Sequence, residues 1–418
     1  MKSFITSLII LLFMPVFSGV KAQCSPGRFY NKLFSAQQSF NVKFGRNANY
    51  QGDSLDLNMH IFTPQNDLSA YRPLIILAFG GSFTSGVKES PDILQLCQEF
   101  AQRGYVTATI DYRTGVENGS DSSRYKALIR AIQDMRAAIG FFHKDALTDR
   151  AWRIDTTQIY IGGVSAGGFI SLNLAYYKQG LFSIAPPEWL DEMADAVGGL
   201  YGMSGQNGYG QNIKGVINLC GGIADTVWIY PGDPILCSMH GSADETVPWC
   251  KDENNTSVTA RFFGSQCIHE RANRMNLVND FYPFYGADHV PFVLPIPFLP
   301  PASLYMDTTI RFIRDFLVQH TECNPELISS ISESNTSHTF EVYPNPAQSS
   351  VYFTLNSTDQ NDATVRLLDL TGKAYAPGQL TRDNSLYAVS VEHLAAGSYL
   401  LEATVQNKKY ISRLQIIR

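Results

Sequence analysis

Charge is scarce in this sequence. Asp, Glu, Lys and Arg make up only 17% of its 418 residues, the formal net charge is −6, and no block of like charges occurs. Binding nucleic acid takes a basic face that neutralises phosphates, so this balance excludes a nucleic-acid partner. The missing charge blocks exclude an electrostatic grip on a membrane surface. Long apolar runs are lacking beyond Phe17, and no later stretch is apolar and uncharged for long enough to span a bilayer. Metal-ligand spacing is lacking too: the seven cysteines, at positions 24, 97, 220, 237, 250, 267 and 323, match no zinc pattern. An odd count leaves at least one thiol free or joined to another molecule.

What is present begins with an export signal. Lys2 supplies a minimal positive start, Phe4 to Phe17 is almost unbroken apolar sequence, and Val20-Lys21-Ala22 offers a peptidase site. Residues 1–22 therefore read as a secretory signal peptide cut after Ala22. Gln23 before Cys24 is larger than the small residue of a lipid-attachment site, which argues against a lipoprotein. Export permits disulfides. Cys250 and Cys267 flank a polar loop and are the predicted pair; Cys220 and Cys237 lie in apolar, strand-like runs and read as buried thiols.

A chain of this length exceeds one ordinary core, and its texture divides it. Residues 26–70 are a strand-rich lead-in, in which "LDLNMHIF" alternates at period two. "PLIILAF", "YVTATIDY", "QIYIGGV", "VINLCGG" and "PILCSMHG" are apolar runs suited to buried strands. Between them "YKALIRAIQDMRAAIGFFHKDA" places Leu128, Ile132, Met135, Ile139 and Phe142 at helical spacing, and "SLYMDTTIRFIRDFLVQH" closes the unit as an amphipathic helix. Strands alternating with helices imply an α/β unit with a mostly parallel sheet, assigned to residues 26–322. Residues 323–339 are polar and Ser-rich and read as a linker. Residues 340–418 contain short alternating segments divided by turn signals and no helix period, the pattern of a small all-β sandwich.

One strand-to-helix junction carries chemistry. Gly163-Val164-Ser165-Ala166-Gly167 fits G-x-S-x-G, a sharp turn that exposes a serine hydroxyl above the sheet. Alone the pattern is weak, because a Gly-rich turn can also hold phosphate. A serine needs a base to take its proton and a carboxylate to orient that base. Asp244 follows the predicted strand "PILCSMHG", with Asp233 and Glu245 as rival acids, and His289 follows the aromatic strand "DFYPFY". His60, His143, His320 and His393 read as satisfied surface or core residues, His240 as a holder of the acid loop, and His269 shows no partner. The glycine pair in "FGGSF" leaves a buried strand and can offer amides to an oxyanion; Gly81, Ser82 and Ala166 are the expected donors. Phe83, Trp249 and Phe292 neighbour these motifs and are candidates either for an apolar substrate pocket or for the core. The Gly-rich stretch 199–212 reads equally as a mobile pocket rim or as a surface loop.

Through "FGGSF", "DYR" (Asp111 to Arg113), "GVSAGG", "HGSADETVP" and "GADHVPF", residues 26–322 resemble secreted α/β-hydrolases of the carboxylesterase and acetyl-esterase kind. The resemblance implies a secreted carboxylic-ester hydrolase with Ser165 as nucleophile, Asp244 and His289 completing its triad, and no metal or cofactor. The family's first motif usually begins with His, where this chain has Phe79; its final His is often followed by Gly, where Val290 stands. A serine peptidase on the same fold and a non-catalytic surface binding protein are the competing readings. The ester itself (short-chain acyl, acetylated sugar, feruloyl or polyester) stays open. Through "FEVYPNPAQSSVYFTL", "LLDLTGK" and "LAAGSYLLEATVQNKKYISRLQIIR", the C-terminal block resembles the type A sorting domain of the type IX secretion system. That implies partnership with this secretion machinery, passage through the periplasm and outer membrane, and release or attachment at the cell surface.

Overall fold

The computed structural model describes residues 27–177, 188–199, 202–205, 208–251, 262–322, 337–339, 342–354, 364–369, 373–383, 386–405 and 408–418. The signal-peptide segment, Cys24, Cys323 and most of the stretch read as a linker lie outside the described residues. The chain separates into two compact units, Met1–Leu327 and Ile328–Arg418.

The first unit is built in the order β1 (Ala36–Ala48), β2 (Ser54–Pro64), β3 (Arg72–Ala78), α1 (Pro91–Ala101), β4 (Val106–Ile110), α2 (Asp121–Leu147), β5 (Ile154–Val164), α3 (Ala166–Tyr176), α4 (Glu188–Asp195), β6 (Gly215–Leu219), β7 (Ile235–Gly241), α5 (Ser265–Arg274), β8 (Asn279–Phe284) and α6 (Ala302–His320). The eight strands form one sheet in the order β1-β2-β4-β3-β5-β6-β7-β8. β1 and β2 pair antiparallel to each other, β2 pairs antiparallel to β4, and every pairing from β4 to β8 is parallel. Central strands covered on both faces must be apolar throughout, and every residue of β3, β4 and β6 is buried.

Helix burial follows from the same layering. α6 buries Met306, Thr309, Ile310, Ile313, Phe316 and Leu317, a stripe at three- and four-residue spacing. α3 is buried almost all round because it packs between the sheet and α2. α2 starts at Ser120, whose hydroxyl accepts from the Ser123 amide at 3.2 Å, and it carries Asp121 in its first turn. Among the described residues, no helix is long and apolar enough to cross a membrane.

Strand order brings the chemistry together. From β3 the chain turns back to β4 on one side, while β5 lies on the other side. That is a topological switch point, where open α/β sheets hold ligands beyond their carboxyl ends. Ala78 is level with Gly163, and Val164 with Leu219. Phe79 to Ser82, Ser165, Asp244 and His289 therefore all leave the same edge.

The second unit contains β9 (Ser337–Thr339), β10 (Val342–Tyr343), β11 (Ser350–Thr354), β12 (Thr364–Asp369), β13 (Ala374–Tyr375), β14 (Leu380–Asp383), β15 (Leu386–Ser390), β16 (Gly397–Val405) and β17 (Lys408–Ile416). They form a four-stranded sheet, β10-β11-β15-β14, and a five-stranded sheet, β13-β12-β16-β17-β9. Both sheets contribute to one apolar core that includes Val351, Phe353, Leu367, Val389, Leu401 and Ile416. β9 falls at the end of the stretch read as a linker. Asn345 of the "YPNP" motif works as a strand mimic: its side-chain amide donates to the Arg413 carbonyl at 2.9 Å, and its Oδ1 accepts from the Gln415 amide at 2.8 Å.

Candidate active site

Ser165 occupies the turn between β5 and α3 with φ 51° and ψ −113°, a conformation that a residue with a side chain adopts only under constraint. Two features impose it. The Ser165 amide donates to the Leu219 carbonyl at 2.7 Å. The flanking glycines let the helix start close against β3: a Cβ on Gly163 would lie 2.3 Å, and one on Gly167 2.0 Å, from the Ala78 carbonyl oxygen. Small residues surround the serine because any side chain there would push α3 off the sheet.

The Ser165 hydroxyl lies 2.9 Å from His289 Nε2, and His289 Nδ1 lies 2.7 Å from Asp244 Oδ2. With Nδ1–H donating to the carboxylate, Nε2 is left as the acceptor that faces the serine O–H. Asp244 is held from several sides. Its Oδ1 accepts from the amides of Thr246 (2.9 Å) and Val247 (2.7 Å), and Oδ2 is also 3.0 Å from His240 Nε2. Burial by itself would raise its carboxyl, but hydrogen bonds from His240 and His289 outweigh that and hold it well below the usual carboxylate range. His240 Nε2 also reaches the Val247 carbonyl at 3.1 Å, so it carries the proton, and Nδ1 accepts from the Ser265 hydroxyl at 2.8 Å. His240 thus ties the acid loop to α5, the role its position suggested.

The rival acids lie elsewhere. Asp233 accepts from the Tyr230 amide at 2.8 Å in the turn before β7. Glu245 is exposed, and its amide donates to Asp288 Oδ1 at 3.2 Å. Cys220, directly after β6, is a buried thiol behind the Asp244–His289 pair; burial, with the charge of Asp244 added, pushes it up to about 12. Cys237 and Cys97 are likewise buried and free, and Cys250 is joined to Cys267.

An open cleft of about 540 Å3 lies over the serine. Ser82, Ser165 and Ala166 border it, with Phe83, Tyr125, Leu128, Phe169, Val247 and Phe262 forming apolar walls. Ala166 is the first residue of α3, so its amide has no carbonyl within the helix to bond and lies at the positive end of the helix dipole. Gly81, expected as a third donor, does not border the cleft; it turns the chain at φ 135°, and its carbonyl accepts from the amides of Thr84 and Ser85. Gly80 is the neighbour of the nucleophile: a Cβ there would lie 3.3 Å from Ser165 Cβ.

Of the three aromatics considered for the pocket, only Phe83 lines this cleft. Trp249 packs on Phe281 and His240 instead, with ring centroids 5.2 and 5.9 Å away. Phe292 is buried in the core and borders a separate cavity under α6. The described part of the Gly-rich stretch 199–212 does not line the cleft either. Ser204 there is buried, and its hydroxyl donates to Asp134 Oδ1 at 2.6 Å and accepts from Asn47 and Arg113, which pins the segment to α2 and β1. Tyr201 lies outside the described residues.

Several roles escaped sequence reasoning. Tyr112 of "DYR" stacks on Phe79 at 4.2 Å and donates its hydroxyl to the Phe79 carbonyl at 3.1 Å. The loop thereby keeps a hold that does not use the histidine usual at position 79. Arg113 clamps Asp134 of α2 at 2.9 Å. His269, which showed no partner in sequence, bonds Asn279 Oδ1 through Nδ1 at 2.6 Å and stacks on Phe281. His60 pairs with Glu89 at 2.8 Å.

Residues 59–196 match the BD-FAE family, which is of esterase-type α/β-hydrolases, and residues 341–417 match the secretion system C-terminal sorting domain. The second match marks the chain for export, to be secreted or attached at the cell surface. No curated protein matches the sequence. Among solved structures, the chain is similar to a thermophilic esterase from Thermogutta terrifontis with propionate bound, at 19% identity and a TM-score of 0.48, covering 70% of this chain and 97% of that one. It is also similar to the apo form of that organism's esterase 2 (20% identity, TM-score 0.48, covering 72% and 100%). A third is the same esterase phosphorylated by paraoxon (19% identity, TM-score 0.46, covering 69% and 95%).

Proposed function

Taking as premise a chain that joins an esterase-type α/β-hydrolase domain to a secretion-system sorting domain, we propose that it is an exported hydrolase of carboxylic esters acting through an acyl-enzyme on Ser165. The observation that carries this reading is the unbroken hydrogen-bonded line from Ser165 through His289 to Asp244, opening into an apolar cleft. His289 Nε2 takes the hydroxyl proton as Ser165 attacks the ester carbonyl, and Asp244 stabilises the imidazolium that forms. The oxyanion is bound by the amides of Ala166 and Ser82. His289 then returns the proton to the leaving alcohol, and water cleaves the acyl-enzyme by the same route. The Asp244 carboxylate already receives two backbone amides and His240, so its position is set before substrate arrives.

Purified protein assayed on 4-nitrophenyl esters of short acids and on peptide anilides tests the reading. Ester turnover that exceeds anilide turnover and disappears in Ser165→Ala is expected. Anilide turnover as fast as ester turnover would make it a peptidase, and undiminished activity in Ser165→Ala would move the nucleophile elsewhere.

A further inference from the structure

The cleft over Ser165 has mostly apolar walls. Among the described residues that border it, Arg124, in the first turn of α2, is the single charged one. Several arginines of the first unit are held by carboxylates, while others, such as Arg150 and Arg153, bond backbone carbonyls as Arg124 does. Arg28 and Arg72 both bond Asp67, Arg103 bonds Glu99, and Arg113 bonds Asp134. The Arg124 guanidinium has one hydrogen bond, from Nε to the Gly119 carbonyl at 3.3 Å, and among the described residues no carboxylate lies within ion-pair distance. Helix stability does not account for it, since a cation in the first turn opposes the helix dipole. Nor does the proposed ester chemistry need it, because the oxyanion is served by backbone amides.

We propose that Arg124 selects esters that carry a carboxylate besides the ester group, the free acid seating on its guanidinium while the ester carbonyl meets Ser165. The proposal rests on the esterase reading above and names the substrate class of that same cleft. A carboxylate entering apolar walls loses its hydration and is rejected unless a cation receives it. A guanidinium with its terminal N–H groups unused offers a planar, two-pronged donor that matches a carboxylate. Neutral esters of the same shape gain no such pairing, so the arrangement favours the acid by attraction.

The test compares matched probes. One pair puts the acid on the acyl side (4-nitrophenyl hemiglutarate against its methyl-capped diester), the other on the alcohol side (3-carboxyphenyl butyrate against the carboxamide). The wild type should prefer the acid in at least one pair. Arg124→Gln should cut that acid-to-neutral ratio of kcat/KM by about 10-fold or more, the range for a hydrogen bond between charged groups. Arg124→Lys should keep part of the preference. Whichever pair responds identifies the side on which the acid lies. Calorimetry with 3-phenylpropionate and 3-phenylpropionamide gives a readout independent of turnover: tighter binding of the acid should disappear in Arg124→Gln. Ester turnover with no acid preference in either pair, or a ratio that Arg124→Gln leaves unchanged, would overturn the proposal and leave the esterase reading standing. Failure to turn over any ester, with Ser165 inert to phosphonates, would overturn both.

Discussion

At the scale of single residues, Asp244 and Glu245 divide the work cleanly. They are adjacent, both acidic, and both close to the loop that bears His289. Only the Asp244 carboxylate touches the imidazole, at 2.7 Å; Glu245 faces solvent. Asp244→Asn keeps the size but presents a neutral amide to His289 Nδ1, which loses the charge that stabilises the imidazolium and the cue for its tautomer. That substitution should lower kcat by several orders of magnitude, on the order of 10^4. Glu245→Gln should change kcat/KM by no more than about 3-fold, as is usual for a surface substitution away from structural features. Steady-state kinetics on one neutral ester checks both, and the reverse pattern would transfer the orienting role to Glu245.

At the scale of elements, the sequence was legible wherever a local pattern decides the structure. Period-two and continuous apolar runs located the strands, and the spacing of Leu128, Ile132, Met135, Ile139 and Phe142 located α2, all five being buried. The G-x-S-x-G motif located the elbow because steric room is a local property. Roles set by distant partners were not legible. Trp249 sits beside the acid loop in sequence, yet it turns away to pack on Phe281 of β8. Ser204, in a stretch whose glycines suggested a mobile rim, is tied to Asp134, 70 residues earlier. The partner of His269 is on the following strand, which no helical pattern could reveal. That histidine, on α5, and His143, on α2, also make a prediction at this scale. Burial pushes both down to about 4 from an ordinary value near 6.5, so both are neutral in the fold. Between those values the unfolded chain binds more protons than the folded one, and stability therefore falls as pH falls from about 6.5 to about 4. Melting temperature measured across that window should decline, with a shallower slope in a His143→Gln, His269→Gln double variant. A slope that the double variant leaves unchanged would assign the acid sensitivity to other groups.

At the scale of the whole molecule, two units with separate cores divide the labour. Every residue assigned to chemistry lies in the first unit, and the sorting-domain match lies in the second. A unit with its own core needs little from its neighbour to fold. A chain ending at Glu322 and produced without the native export route should therefore remain folded, with kcat/KM for a soluble ester within about 3-fold of the full-length protein, a margin typical of changes that touch no structural feature. Loss of activity in a truncated chain with an unchanged far-UV spectrum would mean that the second unit shapes the site. All of this presumes an activated serine, and one measurement addresses that most directly: reaction with a fluorophosphonate, read by intact mass and peptide mapping. One phosphonyl group per chain, located on Ser165 and absent from His289→Ala and from denatured protein, is the predicted result. An unlabelled native chain, or a label that persists at the same rate in His289→Ala, would contradict it.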